Sequence, residues 1–358
     1  MKKVLIVTGG SGGHITPALS LYEHLKYTCQ VSLVTDQRGE KFIDKEKYKY
    51  NVINTPNLLS RLVLIPIKIL SFIFSFFKSI TFLYKKKFDI LISTGGYSSI
   101  PLCISARLLG VKLFLVEPNM VLGRSNKYML DYAEKILCYN ENLLNFPSKF
   151  KNKLKIIQPL LLEKNYKSKK NRNFDFKKKI KILILGGSQG AKFFDEFSKE
   201  FIIKLSKIVN VEVMQQMSSK RKIENFENLY NKNGIKNIIF DFDMDMADKM
   251  GDYNIAITRC GASTLGELTH LNVPFIGIPF PFAKDNHQLE NAMSYEKNKC
   301  CWVFEQKDTN VDLVLDLFDK FIKDNKIYYE KYQNIVKISY ENKWDIINKK
   351  INKIVNEN

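Results

Sequence analysis

One local pattern constrains this chain more than any other, and it occurs twice. A short apolar run leads into a glycine-rich loop, and a stretch with helical spacing follows. Near the start it is VLIVT (residues 4–8), then GGSGGH (9–14), then a helical pattern over 16–26 with Pro17 at a first-turn position. Past the middle, KIKILIL runs into GGSQGAK (186–192) and a second helical pattern. A buried strand, a tight glycine turn and a helix form the opening of a βαβ unit, which requires a parallel sheet. Further apolar runs support one sheet in each half: VSLVT (31–35), FDILIST (88–94) and VKLFLVE (111–117) in the first, VEVMQQ, NIIFDF, NIAITR and PFIGIPF in the second. A Lys/Asn-rich polar stretch over 162–179 reads as the connector. At 358 residues, two α/β domains of similar size are expected, 1–161 and 162–339, with an amphipathic basic helix at about 340–358.

Charge narrows the partners. Fifty-six Lys and Arg against 37 Asp and Glu leave a net +19, which suits an anionic partner. Only seven of the cations are Arg, and no helix-turn-helix, finger or RNP-like signature is present, so nucleic acid is not expected. Part of the Lys excess is a solvated surface. Six Cys with no CxxC pair, and only four His, suggest neither a zinc site nor a disulfide framework; a reducing cytoplasm fits. Segment 58–84, LLSRLVLIPIKILSFIFSFFKSITFLY, is long and apolar enough to be weighed as a membrane span. Pro66, Lys68 and Lys78 inside it, and its place between two strands of one sheet, favour a helix lying in the bilayer interface, with Arg61 and Lys85 to Lys87 near anionic head groups. Packing as a plain core helix is the alternative.

Chemistry concentrates after the strands. Each glycine loop opens a helix whose unpaired N–H groups favour an anion, although neither is a Walker A. Asp36, near the end of the second strand, keeps a dinucleotide reading open for the first loop. His14 directly follows that loop and is a candidate general base; a helix-capping role is the plain alternative. In RCGASTLGE (259–267), Ser263 and Thr264 offer hydroxyls to a phosphate, with a helix expected from about Leu265. Glu267 would then lie in its first turn, either accepting hydrogen bonds from a ribose diol or merely complementing the helix dipole. KDNHQLENA (284–292) places polar groups at another helix start.

Together GGSGGH (9–14), TGGYSSIPL (94–102), EPNMVLGRSN (117–126), GGSQGAK (186–192), RCGASTLGE (259–267) and KDNHQLENA (284–292) resemble, in order, the MurG family, the membrane-associated N-acetylglucosaminyltransferases of peptidoglycan synthesis. The resemblance implies a GT-B fold: two Rossmann-like domains facing across a cleft, with the C-terminal helix packing back on the first. It implies transfer of N-acetylglucosamine from UDP-GlcNAc to lipid I, with inversion, to make lipid II. No cofactor and no metal are implied, and the place of action is the cytoplasmic face of the bacterial inner membrane, held peripherally on an anionic surface. Carried over by motif, His14 is the catalytic candidate, with Ser11, Gly12, Gly13 and Asn119 beside it. Ser188 lies near the donor diphosphate and the backbone at Asp243 reads the uracil. Ala262, Ser263, Thr264, Leu265, Gly266 and Glu267 cradle the nucleotide, and Gln288 meets the donor sugar. This chain departs from the family in Ser11 for Thr, in Pro118 within the Glu-x-Asn motif, and in Leu161 where an Arg usually follows Asn-Pro. That last change removes a donor contact or leaves it to a nearby Lys. A different glycolipid glycosyltransferase, a nucleotide-sugar-binding protein without turnover, and an NAD-dependent dehydrogenase are the other readings.

Overall fold

The computed structural model describes residues 1–56, 65–167, 174–187, 192–243 and 246–357, with only the backbone of 65 and 66. The chain forms two compact units, Met1–Glu163 with Lys343–Asn358, and Lys164–Asn342.

The first unit contains β1 (Lys3–Val7), α1 (Gly12–Leu25), β2 (Gln30–Thr35), β3 (Tyr50–Val52), α2 (Ile65–Lys86), β4 (Ile90–Ser93), α3 (Ile100–Leu108), β5 (Lys112–Glu117), α4 (Arg124–Met129), β6 (Ala133–Cys138) and β7 (Leu154–Ile156). Its sheet runs β3-β2-β1-β4-β5-β6-β7, every pair parallel. The second unit contains β8 (Lys179–Leu185), α5 (Lys192–Ser206), β9 (Asn210–Gln216), α6 (Ile223–Lys232), β10 (Lys236–Phe240), α7 (Met246–Met250), β11 (Ile255–Thr258), α8 (Ala262–His270), β12 (Phe275–Gly277), α9 (His287–Lys297), β13 (Cys301–Val303), α10 (Val311–Lys323) and α11 (Lys326–Ser339). Its parallel sheet runs β10-β9-β8-β11-β12-β13, the same order repeated. This is the doubly wound arrangement, and each sheet reverses direction beside its first strand: between β1 and β4, and between β8 and β11. Open α/β sheets bind ligands beyond the strand ends at that point.

The apolar runs are continuous because helices cover both faces. In β8, Ile182 and Ile184 pack with Phe201 and Phe318 on one face, and Leu183 and Leu185 with Leu265 and Phe275 on the other. Four short strands, β3, β6, β7 and β13, were not expected from the sequence; three to six residues hold too few side chains to show a period. The polar stretch read as a connector is partly core: Phe176 is buried in the second unit's cluster and Phe174 packs against it.

The last helix, α12 (Trp344–Asn356), packs on α1. The His24 ring stacks on Trp344, centroids 3.8 Å apart, and Asn352 Nδ2 donates to the His24 carbonyl at 3.1 Å. Lys2 and Lys135 donate to the carbonyls of Val355 and Ile354, at 3.1 and 2.6 Å. Cations there complement the negative end of the helix dipole.

Helix α2 covers the described part of segment 58–84; Arg61 lies outside the described residues. Ser75 and Ser79 are buried against the unit, while Ile67, Leu70, Phe74 and Phe77 are exposed, Phe74 by 72%. Only 17% of its most apolar window is buried. A core helix would show the reverse, so the packed-core alternative fails for this face.

Candidate functional site

In the first unit the helix begins earlier than the sequence suggests. Ser11 is extended and caps α1, so Gly12, Gly13 and His14 are its first three residues. Pro17 therefore sits in the second turn, not the first, and the missing proline N–H leaves one intrahelical bond unmade. His14 is consequently a helical residue aimed at the loop after β4. Its Nδ1 lies 2.8 Å from the Thr94 carbonyl, and the Thr94 hydroxyl donates back to the His14 carbonyl at 2.9 Å. A carbonyl only accepts, so Nδ1 carries a proton, and in the neutral form of the ring the lone pair lies on Nε2. That is the tautomer a general base needs. Gly95 (φ +94°) passes beneath the ring; a Cβ there would lie 3.2 Å from His14 Cε1.

Asn119 belongs to the loop after β5, and the other outer residue of the Glu-x-Asn motif, to which the motif reading gave no role, organises that loop. Glu117 is buried at the end of β5. Its carboxylate accepts from the Asn119 amide (3.2 Å) and side chain (3.1 Å), from Gly123 N (2.8 Å) and from Asn126 Nδ2 (2.9 Å). An acid ending a fully apolar strand was the available signal. Ser125, in the first turn of α4, accepts from Gly96 N at 3.1 Å, which ties the loop after β4 to the start of α4. Asp36 does not await a ribose: it accepts from Arg38 Nε at 3.2 Å and Gly39 N at 3.1 Å. This removes the feature that supported a dinucleotide reading.

In the second unit, α8 starts at Ala262 rather than near Leu265, because Gly261 is extended and takes the cap position. Ala262, Ser263 and Thr264 thus form its first turn with unbonded N–H groups, and Glu267 falls in the second turn. The Ser263 hydroxyl is buried and has no hydrogen-bond partner among the described residues. Such a group costs free energy unless something arrives to satisfy it. Leu265 is buried core and Gly266 is buried beside it. Glu267 keeps part of its surface, yet burial pushes its carboxyl up to about 7, with Lys164 pulling the other way.

Gln288, in the first turn of α9, is brought to the same place. Its Oε1 accepts from Cys260 N at 3.1 Å and Phe280 N at 3.0 Å, which leaves the amide nitrogen for a ligand. The turn before it is strained: Asp285 and Asn286 both have left-handed backbones, with φ of 54° and 53°. Arg259 braces the loop from below. Buried with no carboxylate partner among the described residues, it donates to the carbonyls of Ile278 (3.0 Å) and Pro279 (3.1 Å) and to Gln306 (2.6 Å). Burial pushes its guanidinium down to about 10, so it stays charged at neutral pH. Asp243 follows β10 at the sheet edge, its carboxylate 2.7 Å from Lys249 Nζ. Ser188 lies outside the described residues. Leu161 is fully buried, and its carbonyl accepts from Ser20 Oγ at 2.7 Å.

Two parallel switch points, one with a poised imidazole and one with an unsatisfied helix start, suit a group-transfer enzyme handling a phosphorylated donor. Residues 4–138 match the glycosyltransferase family 28 N-terminal domain and residues 181–347 its C-terminal domain. A protein of Pelagibacter ubique (strain HTCC1062) named UDP-N-acetylglucosamine--N-acetylmuramyl-(pentapeptide) pyrophosphoryl-undecaprenol N-acetylglucosamine transferase is 45% identical over 357 residues, 100% of this chain and 99% of that one. The chain belongs to the MurG family, within glycosyltransferase family 28.

A family 28 relative of the same name from Rickettsia bellii (strain RML369-C) is 32% identical, covering 94% of this chain and 95% of that one. Among solved structures, Acinetobacter baumannii MurG superposes over 100% of both chains with a TM-score of 0.75 at 23% identity. A UDP-N-acetylglucosamine 2-epimerase also superposes, at 0.62 and 13% identity over 93% of this chain and 90% of that one. The fold is therefore GT-B, and the fold alone does not choose between transferase and epimerase. The match over the whole chain to the MurG transferases does, as the six ordered motifs implied.

Proposed function

We propose that the chain transfers N-acetylglucosamine from UDP-GlcNAc to the muramyl hydroxyl of lipid I, forming lipid II. The observation that carries this reading is the 45% identity, end to end, with a transferase of that name; the geometry supplies the chemistry. The second unit holds the donor. Thr264 and the Ser263 hydroxyl meet its phosphates at the start of α8, with Ser188 alongside. Glu267 accepts from the ribose, Gln288 offers its amide to the sugar, and the backbone at Asp243 pairs with the base. The first unit holds the acceptor, with Ser11, Gly12, Gly13 and Asn119 near the reacting hydroxyl. That oxygen attacks the anomeric carbon from the face opposite UDP. The new C–O bond forms as the bond to the β-phosphate oxygen breaks, UDP leaves with the electron pair, and the hydroxyl proton passes to His14 Nε2.

Leu161 does not stand in for an arginine at the donor, because its side chain is buried core. Lys164 takes that place in this reading, since it already acts on Glu267 and lies 3.9 Å from Asp248. The exposed face of α2, with Lys85 and Lys86 at its end, rests on an anionic bilayer and meets the lipid-linked acceptor there. The place of action is the cytoplasmic membrane surface.

The test is turnover. Purified protein, UDP-GlcNAc and a soluble lipid I analogue should yield UDP and a disaccharide product in equal amounts. UDP-sugar binding without product would instead favour a binding protein. Sedimentation with anionic vesicles should fall with salt and in Phe74→Ser; undiminished binding in that variant would remove α2 from the membrane contact.

A further inference from the structure

Arg38 is set on the first glycine loop in a way the fold does not require. Its Nε and Nη2 both point to Asp36 Oδ2, Nε at 3.2 Å. Asp36 Oδ1 is meanwhile occupied by the amides of Arg38 (3.0 Å) and Gly39 (3.1 Å). The guanidinium lies over the Tyr97 ring, 4.6 Å from its centroid. A Cβ on Gly10 would come within 2.5 Å of the guanidinium carbon, so any side chain there would displace it. Half of the Arg38 side chain remains exposed, and its Nη1 makes no hydrogen bond among the described residues. A carboxylate on one edge and an aromatic face below thus hold a planar cation, with its other edge turned outward.

Two neighbours indicate what that edge meets. Gly13 lies in α1 with none of the described residues within 4 Å of a would-be Cβ and no left-handed φ. Glycine costs about 0.5–1 kcal/mol there relative to alanine, and the protein itself gains nothing from it. Ser98 is buried, its hydroxyl lies against Gly9, and that hydroxyl has no partner among the described residues. Open space over a helix start, an unsatisfied hydroxyl and an oriented guanidinium match an oxyanion with several acceptor oxygens.

We propose that Arg38, positioned by Asp36 and Tyr97, binds the diphosphate of the lipid-linked acceptor and so selects acceptors that carry one. The inference rests on the transferase reading and assigns the donor's diphosphate to α8. Steady-state kinetics would use UDP-GlcNAc with two soluble acceptor analogues, one diphosphate-linked and one with a neutral linker. Arg38→Ala should raise KM for the diphosphate acceptor roughly tenfold or more, and Arg38→Lys should restore part of it. The wild-type preference for the diphosphate acceptor should collapse in Arg38→Ala. If that variant folds poorly because Asp36 is left buried and unpaired, the double variant Asp36→Asn/Arg38→Ala removes both charges and should show the same loss of preference. A rise in KM for UDP-GlcNAc instead would give Arg38 to the donor and overturn the proposal. An equal loss with both acceptors would also overturn it, leaving Arg38 a structural counter-ion. Wild-type turnover with Arg38→Ala indistinguishable from it defeats this inference alone; a wild type that turns over neither acceptor defeats the transferase reading as well.

Discussion

The two units share a strand order and almost nothing of their chemistry. In the first, the helix start after β1 carries an imidazole whose Nδ1 is held by a backbone carbonyl, and the neighbouring Arg38 is oriented by a carboxylate. In the second, the loop and helix start after β11, across the switch point from β8, hold no oriented base among the described residues. They have a buried hydroxyl without a partner among those residues and a carboxyl pushed up to about 7. In the proposed reaction, one fold used twice separates two tasks: moving a proton and holding a nucleotide. The contrast shows that a doubly wound sheet supplies a location, while the two or three residues beyond each strand supply the function.

The comparison breaks most severely if the first unit tolerates charge in its core. Leu161→Arg should lose on the order of 3 kcal/mol or more by burying an unpaired guanidinium. Chemical denaturation would show it, and a variant with native stability and tighter donor binding would return the family arginine to this position. Next in size is the division of labour. His14→Ala should cost at least about a hundredfold in kcat, roughly 2.7 kcal/mol in the barrier, with UDP-GlcNAc affinity by calorimetry much less affected. An equal loss in both would join the two sites into one.

Glu267 sharpens the contrast through pH. Its carboxyl is raised in the folded protein to about 7, above the usual 4.5. Between those values the folded protein holds a proton that the unfolded chain has released, so this group favours folding less and less as pH rises through the window. Donor binding should move oppositely, because only the carboxylate accepts two hydroxyl hydrogens; affinity should rise as pH passes about 7. Glu267→Gln should flatten both profiles, and a pH-dependent affinity that survives the substitution would exclude this carboxyl as its source.

His24 offers the matching test in the first unit. Burial between α1 and α12 pushes its imidazole down to about 4. The unfolded chain takes up a proton near 6.5 that the folded one refuses, so stability should fall as pH drops from there toward 4. His24→Phe should remove that slope in thermal melts. The smallest effect is expected at Gly13→Ala, a gain of about 0.5–1 kcal/mol in stability together with weaker acceptor binding. A gain in both would mean that nothing approaches the loop there.

Much of this was legible in residue order. The two strand–glycine–helix units and the parallel sheets follow from local runs whose periodicity and turn chemistry are complete within fifteen residues, and the family follows from the resemblance of six ordered motifs. The rest depends on packing. The starts of α1 and α8 were placed three to four residues late, because glycine and serine carry weak helix propensity and only the packed loop shows that they are helical. That the Leu161 side chain is core is not visible in the motif, because a motif position does not reveal which way a side chain faces. Asp36 was free on paper because its partner, two residues away, must be folded onto the Gly10 loop to reach it.

The sequence alone determined where strands end and glycines begin, since apolar runs and turn residues act over a few neighbours. Tertiary structure decided which polar atoms are satisfied. The hydrogen bonds of Glu117, Gln288 and His14 join residues from 2 to 80 positions apart, and whether a buried donor or acceptor finds its partner depends on how the strands are ordered in the sheet.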